Sequence, residues 1–156
     1  MSLANVYIEK ATIQDAPEIL KLQKLAYQSE VEIYNDPCLP PAIQTLEEIQ
    51  DEFKFRIFLK LLIENQLIGS VRAHQKDGTV YIGKLIVHPD WRGRGLGQKL
   101  MHAIEGFFQN VRRFELFTGH KSERNLYLYQ KLGYRIFKRE KIDINLEIVY
   151  MEKLNS

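Results

Sequence analysis

Lys84-Leu85-Ile86-Val87-His88-Pro89-Asp90-Trp91-Arg92-Gly93-Arg94-Gly95-Leu96-Gly97 decides how the rest of the chain is read. An apolar strand ends at Val87, and Pro89 stops it. A basic turn follows in which Gly93, Gly95 and Gly97 alternate with Arg94 and Leu96, so backbone can approach a ligand with little side-chain obstruction. A helix starts at once, offering unpaired N–H groups and the positive end of its dipole. Together these make an anion site suited to phosphate or pyrophosphate.

The spacing narrows the ligand. A Walker A loop needs a Ser or Thr for Mg²⁺ after Gly-Lys, and Gly97 is followed by Gln98 and Lys99. A dinucleotide fingerprint needs Gly-x-Gly-x-x-Gly, and the third glycine here comes one place early. What remains is Arg92-x-x-Gly95-x-Gly97 preceded by Leu85-x-Val87-x-Pro89. This resembles the acetyl-CoA-binding signature of the GNAT superfamily of N-acyltransferases. Downstream, Asn125-Leu126-Tyr127-Leu128-Tyr129-Gln130-Lys131-Leu132-Gly133-Tyr134 resembles that family's late helix and following strand, in its order and at its separation. The resemblance covers nearly the whole chain and is strongest from Tyr81 to Tyr134. It implies an α/β fold with a mixed, mostly antiparallel central sheet flanked by about four helices. It also implies acetyl-CoA as co-substrate and no metal.

Composition agrees. A length of 156 residues suits one domain with a single core, expected to span 1–156. The 45% hydrophobic and 27% charged shares are ordinary for a globular protein, and a net charge of +2 with scattered basic residues gives no footing for nucleic-acid binding. The lone Cys38 excludes an internal disulfide and a cysteine-based zinc site. Glu9 and Lys10 interrupt any leader-like apolar run, and no stretch is apolar enough to span a membrane, so a cytoplasmic location is expected.

The remaining elements follow from periodicity. Val6-Tyr7-Ile8 reads as a strand, Asp15 as the N-cap of a helix carrying Ile19, Leu20, Leu22 and Leu25, and Asn35 to Pro41 as a loop. Thr45-x-x-Glu48 is a capping box. Arg56–Ile63, Leu67–Gln75 and Thr79–Val87 form an antiparallel meander. Gly95–Asn110 is a helix with Leu96, Leu100, Ala103, Ile104 and Phe107 on one face, and Arg113–Thr118 is a strand. Ser122–Leu132 is a helix closed by Gly133, and Tyr134–Lys138 and Leu146–Met151 are final strands.

Acyl transfer from a thioester to an amine needs a grip on CoA, a neutral amine, a stabilised oxyanion and a proton for the departing thiolate. Backbone of Arg92, Gly93, Arg94, Gly95, Leu96 and Gly97 is expected to hold pyrophosphate, with the two arginines adding charge. The resemblance implies that the pantetheine arm pairs with the backbone of Leu85, Ile86 and Val87, as an added strand would. It also implies a CoA contact early in the late helix, from Ser122 or Asn125. Tyr129, four residues before Gly133, takes the position of the family's general acid; read without the resemblance it is a half-buried core aromatic. The strand before the glycine turn, Tyr81-Ile82-Gly83-Lys84, lacks the carboxylate often used as base there, which leaves His88, Glu30, Glu32, a water relay, or no base beyond a substrate arriving neutral. From Glu30 to Phe53 there are seven acids and no Lys or Arg, opposite a basic turn counted with Lys84 and Lys99. That asymmetry points to a cationic amine acceptor, held by Glu30, Glu32 and Tyr34 in the loop after the first helix. The chain reads as an acetyltransferase working by direct attack, as a monomer or homodimer; the alternative is a non-catalytic acyl-CoA-binding sensor.

Overall fold

The computed structural model describes residues 5–155. A seven-stranded sheet runs in the order β1-β2-β3-β4-β5-β7-β6. Its strands are β1 (Val6–Lys10), β2 (Ile57–Ile63), β3 (Gln66–Lys76), β4 (Thr79–Val87), β5 (Arg113–Gly119), β6 (Arg135–Lys141) and β7 (Glu147–Leu154). All neighbours are antiparallel except β4 and β5. The meander read from the sequence is β2-β3-β4, each strand placed within a residue or two of expectation.

Alternation along the strands sorts the two faces. Leu59, Leu61, Val71, Ala73, Val80 and Ile82 pack with Leu96, Leu100, Met101 and Ile104 of α5 (Leu96–Phe107). Phe58, from the other face of β2, joins Ala16 and Ile19 of α1 (Ala16–Ala26) and Ile49 of α4 (Leu46–Glu52). Ile86 of β4 meets Leu22 and Ala26 of α1 on that side. The α5 face differs from expectation at its rim: Met101 is fully buried, whereas Phe107, the last residue of α5, is 46% exposed.

Among the described residues six α-helical segments flank the sheet, where about four were expected. The additions lie in the stretch read as loop. Residues Gln28–Tyr34 form α2, closed by Asn35 in the left-handed conformation (φ 48°), and Pro40–Ile43 form the short α3, with its prolines at the first turn where no N–H is missed. The Thr45/Glu48 capping box is present: Glu48 N–H donates to Thr45 Oγ1 at 3.1 Å and Thr45 N–H to Glu48 Oε1 at 2.8 Å. Asp15 stands at the N-cap position of α1 but makes no cap bond; its carboxylate accepts from Thr12 N–H at 2.9 Å and from Lys60 Nζ at 3.0 Å. The last helix is α6 (Glu123–Lys131).

Two irregularities shape the centre of the sheet. The β3–β4 register shifts between Ser70↔Ile86 and Arg72↔Gly83, a bulge in which Lys84 adopts φ 48°. Beyond it β4 and β5 part: their parallel pairing covers only Thr79↔Arg113, Val80↔Phe114 and Tyr81↔Glu115.

Candidate active site

The sheet splits where β4 and β5 diverge, and a cleft of about 370 Å³ occupies the opening. One wall is the end of β4, Leu85 to Val87, with the glycine turn below it; the other is α6, through Asn125 and Leu128; the end of α1 and the start of α2 close the top, through Tyr27 and Glu30. Leu85 and Val87 turn their side chains to the α5 core and Ile86 to the α1 side, so what β4 offers the cleft is chiefly main chain.

Each glycine of the turn has its own reason. Gly93 and Gly95 lie at φ 78° and 77°, and a Cβ at either would meet nothing within 4 Å. Gly95 is the N-cap of α5, so the chain enters that helix from a left-handed residue facing open space. Gly97 serves packing instead: its Cβ would stand 3.3 Å from Leu128 Cδ2 of α6. The flanking arginines do not both face the cleft. Arg92 lines it, and its guanidinium is committed to the end of α1, donating to Ala26 O at 2.7 Å and Ser29 Oγ at 3.4 Å. Arg94 lies over the Trp91 ring at 4.7 Å. Lys84, grouped with this turn on sequence, sits in the bulge, where its charged neighbours are Arg72, Glu52, Arg56 and Glu48; burial and then Arg72 push its pKa down.

On α6 the candidates separate. Asn125 lines the cleft, and its Nδ2 donates to Thr118 Oγ1 at 3.3 Å. Ser122 is buried at the N-cap position yet makes no capping bond; its hydroxyl bonds Glu30 and Tyr34 instead. Tyr129 is 6% exposed, with no hydrogen-bond partner for its hydroxyl among the described residues. Burial drives its pKa far above the ordinary phenol range, and the charges of Tyr27 and Glu30 act in the same direction. Tyr134 packs against Tyr129, ring centroids 6.1 Å apart, and donates to Glu105 Oε2 at 2.7 Å.

The residues expected at the acceptor come from a helix, not a loop. Glu30 faces the cleft from α2, Glu32 is solvent-exposed, and Tyr34 is buried with its hydroxyl between Ser122 and Lys121. His88 is a structural cap: its Nδ1 accepts from Asp90 N–H at 3.1 Å at the head of a 3-10 turn. Among the lining residues that the sequence does not single out are Tyr127, which is 69% exposed, and Tyr27, Arg124 and Lys131. The last two share a signal that was there to read: Arg124, Leu128 and Lys131 recur at helical spacing on one face of α6. Burial pushes the Tyr27 phenol up to about 12 against the opposing charge of Arg72.

Comparison with known proteins places this cleft in context. The model of the acetyltransferase (GNAT) family matches residues 17–134, from the start of α1 to the residue after α6 closes. The PaiA N-acetyltransferase of Thermoplasma acidophilum, solved in complex with coenzyme A, superposes with a TM-score of 0.83 at 18% identity, covering 99% of this chain and 100% of that one. A GNAT-family acetyltransferase from Streptococcus pneumoniae superposes at 0.76 with 19% identity, covering 97% and 100%. These likenesses show the fold. By sequence, the chain is 27% identical over 128 residues to the UPF0157 protein YqkA of Bacillus subtilis; the match takes in 81% of this chain and spans only 36% of that relative's length.

Proposed function

The chain belongs to the GNAT acetyltransferase family, and we propose that it is an acetyl-CoA-dependent N-acetyltransferase acting on a cationic primary amine by direct attack. The observation that carries the reading is a helix N-terminus capped by an open, left-handed glycine at the foot of a split sheet; the buried, proton-retaining Tyr129 does not itself line the cleft but lies within electrostatic reach of Tyr27 and Glu30, which do. The coenzyme A in the Thermoplasma relative supports the choice of co-substrate.

In this reading the α5 N-terminus and the main chain of residues 92–97 bind pyrophosphate, and Arg92 braces the turn against α1 while contributing charge. The β4 main chain at Leu85–Val87 holds the extended arm by strand-like pairing, and Asn125, rather than Ser122, contacts it from α6. The acceptor's ammonium first loses a proton to solvent; the neutral amine attacks the thioester carbonyl carbon, a C–N bond forms and the C–S bond breaks. Tyr129 supplies the proton that the departing thiolate takes, and recovers one from the new amide nitrogen through solvent. A phenol whose pKa is raised by burial stays protonated across neutral and alkaline pH, as a donor to a thiolate must. Of the acidic stretch Glu30 is the carboxylate that lines the cleft, and it gives the acceptor side its negative charge.

The test follows release of CoA thiol from acetyl-CoA across a panel of amines. Tyr129→Phe should lower kcat by roughly 10²–10⁴-fold with CoA affinity unchanged. Wild-type kcat in that variant, with chemistry shown rate-limiting by pre-steady-state measurement, removes Tyr129 from the chemistry. CoA binding without turnover on any amine leaves an acyl-CoA-binding module in place of an enzyme.

A further inference from the structure

The Glu30 carboxylate is held from behind by a chain of three hydrogen bonds that the transfer chemistry has not used. Lys121 N–H donates to Tyr34 Oη at 2.9 Å. The Tyr34 and Ser122 hydroxyls lie 2.8 Å apart, and Ser122 Oγ donates to Glu30 Oε2 at 2.8 Å. The proton order is fixed by elimination. A carboxylate can only accept, so the Ser122 proton points to Glu30; Ser122 Oγ then accepts from Tyr34, whose oxygen accepts from Lys121. Every donor in the chain is aimed the same way, toward Oε2, and such aligned bonds strengthen one another.

Ser122 gives up the usual work of its position to do this. At the head of α6 a serine ordinarily caps the helix, and this one makes no cap bond. Tyr34 is 3% exposed and Ser122 4%, so the relay is dry up to its last member, which opens onto the cleft. There Glu30 keeps a second oxygen, Oε1, with no hydrogen-bond partner among the described residues. Arg92, Arg124 and Lys131 also line the cleft and Arg92 feels the Glu30 charge, but among the described residues none of the three donates to Glu30, and the Arg92 guanidinium is tied to Ala26 O and Ser29.

We propose that Glu30 is the group that binds the ammonium of the acceptor, through Oε1, and that Tyr34 and Ser122 are its positioning residues. This rests on the transferase reading for what the ammonium is, and it singles out one carboxylate from the acidic stretch. It also gives Tyr34 and Ser122 a shared purpose that neither serves at the cleft surface.

The experiment titrates 1,4-diaminobutane into the CoA-loaded protein by calorimetry. Glu30→Gln, which keeps size and removes charge, should weaken diamine binding about 10- to 100-fold, as expected for a partly desolvated charged hydrogen bond. Tyr34→Phe and Ser122→Ala should weaken it several-fold, and Ser122→Thr, which restores the hydroxyl, should recover it. CoA affinity should be unchanged in all four, which also reports that each is folded. The proposal is overturned if the diamine does not bind the wild type, if Glu30→Gln binds it equally, or if that variant loses CoA affinity instead. The transferase reading fails separately: Glu30-dependent diamine binding with no thiol released from acetyl-CoA removes the enzyme and keeps the ammonium site.

Discussion

A side chain at Gly95 would enter open space, and that makes the glycine turn testable without breaking it. Asparagine tolerates the left-handed conformation better than other non-glycine residues. Gly95→Asn should therefore stay folded while filling the cradle, with CoA affinity down at least about 10-fold, a loss of ~1.4 kcal/mol, and circular dichroism native. Undiminished affinity would place the phosphates elsewhere. Gly97 is the wrong position for this test, because its Cβ would crowd Leu128 and disturb α5 against α6 whatever binds. The sequence could not separate these two glycines: both stand in one motif, and only the register of α6 across the cleft tells them apart. The choice between Ser122 and Asn125 was likewise invisible, since the residue that claims the Ser122 hydroxyl, Glu30, lies 92 positions away.

At the scale of elements, long periodic segments were legible and the short turns between them were not. β4 was read to the residue, since its aliphatic run is bounded by Gly78 on one side and Pro89 on the other. α2 was missed because its seven residues, Gln28–Tyr34, are too few for periodicity to show. It is held in place by tertiary contact, above all by Tyr34 over the end of β5. A Cβ at Gly119 would overlap the Tyr34 hydroxyl and ring. Gly119→Ala should then cost about 1–3 kcal/mol by overpacking. The loss should be smaller in a Tyr34→Leu background, a coupling that a double-mutant cycle by urea unfolding measures directly. Additive losses would mean that α2 is not seated by this contact.

For the whole molecule, the seam between the α1–α4 layer and the sheet contains a buried polar network as well as the Phe58 cluster. Arg72, 1% exposed on β3, donates to Glu52 Oε2 at 2.8 Å and to Gln23 Oε1 at 2.6 Å, with its guanidinium 4.4 Å from the Phe58 ring centroid. Gln23 continues the network to Pro41 O and Gln44, so α1, α3, α4 and β3 meet at one cation. Nothing in the sequence marks Arg72 as interior, because one arginine in an apolar strand looks like a residue turned to solvent. Removing one partner of a buried pair strands the other: Glu52→Gln should lower stability by about 3–5 kcal/mol. Glu52→Leu combined with Arg72→Met should lose less than the sum of the two single changes. A Tm for Glu52→Gln near that of the wild type would show the pair to be well solvated.

The short β4–β5 pairing has one more consequence, for solvent exchange. Past Tyr81 alternate amides of β4 point away from β3 and find no strand across the gap. A seven-stranded sheet thus carries a second pair of open edges at its own centre, sheltered from other molecules by α2 and α6 rather than by pairing. In hydrogen–deuterium exchange the inward amides of residues 85–87 should exchange faster than their β3-facing neighbours in the free protein. Saturating CoA should slow that set most, turning an interrupted sheet into a continuous one.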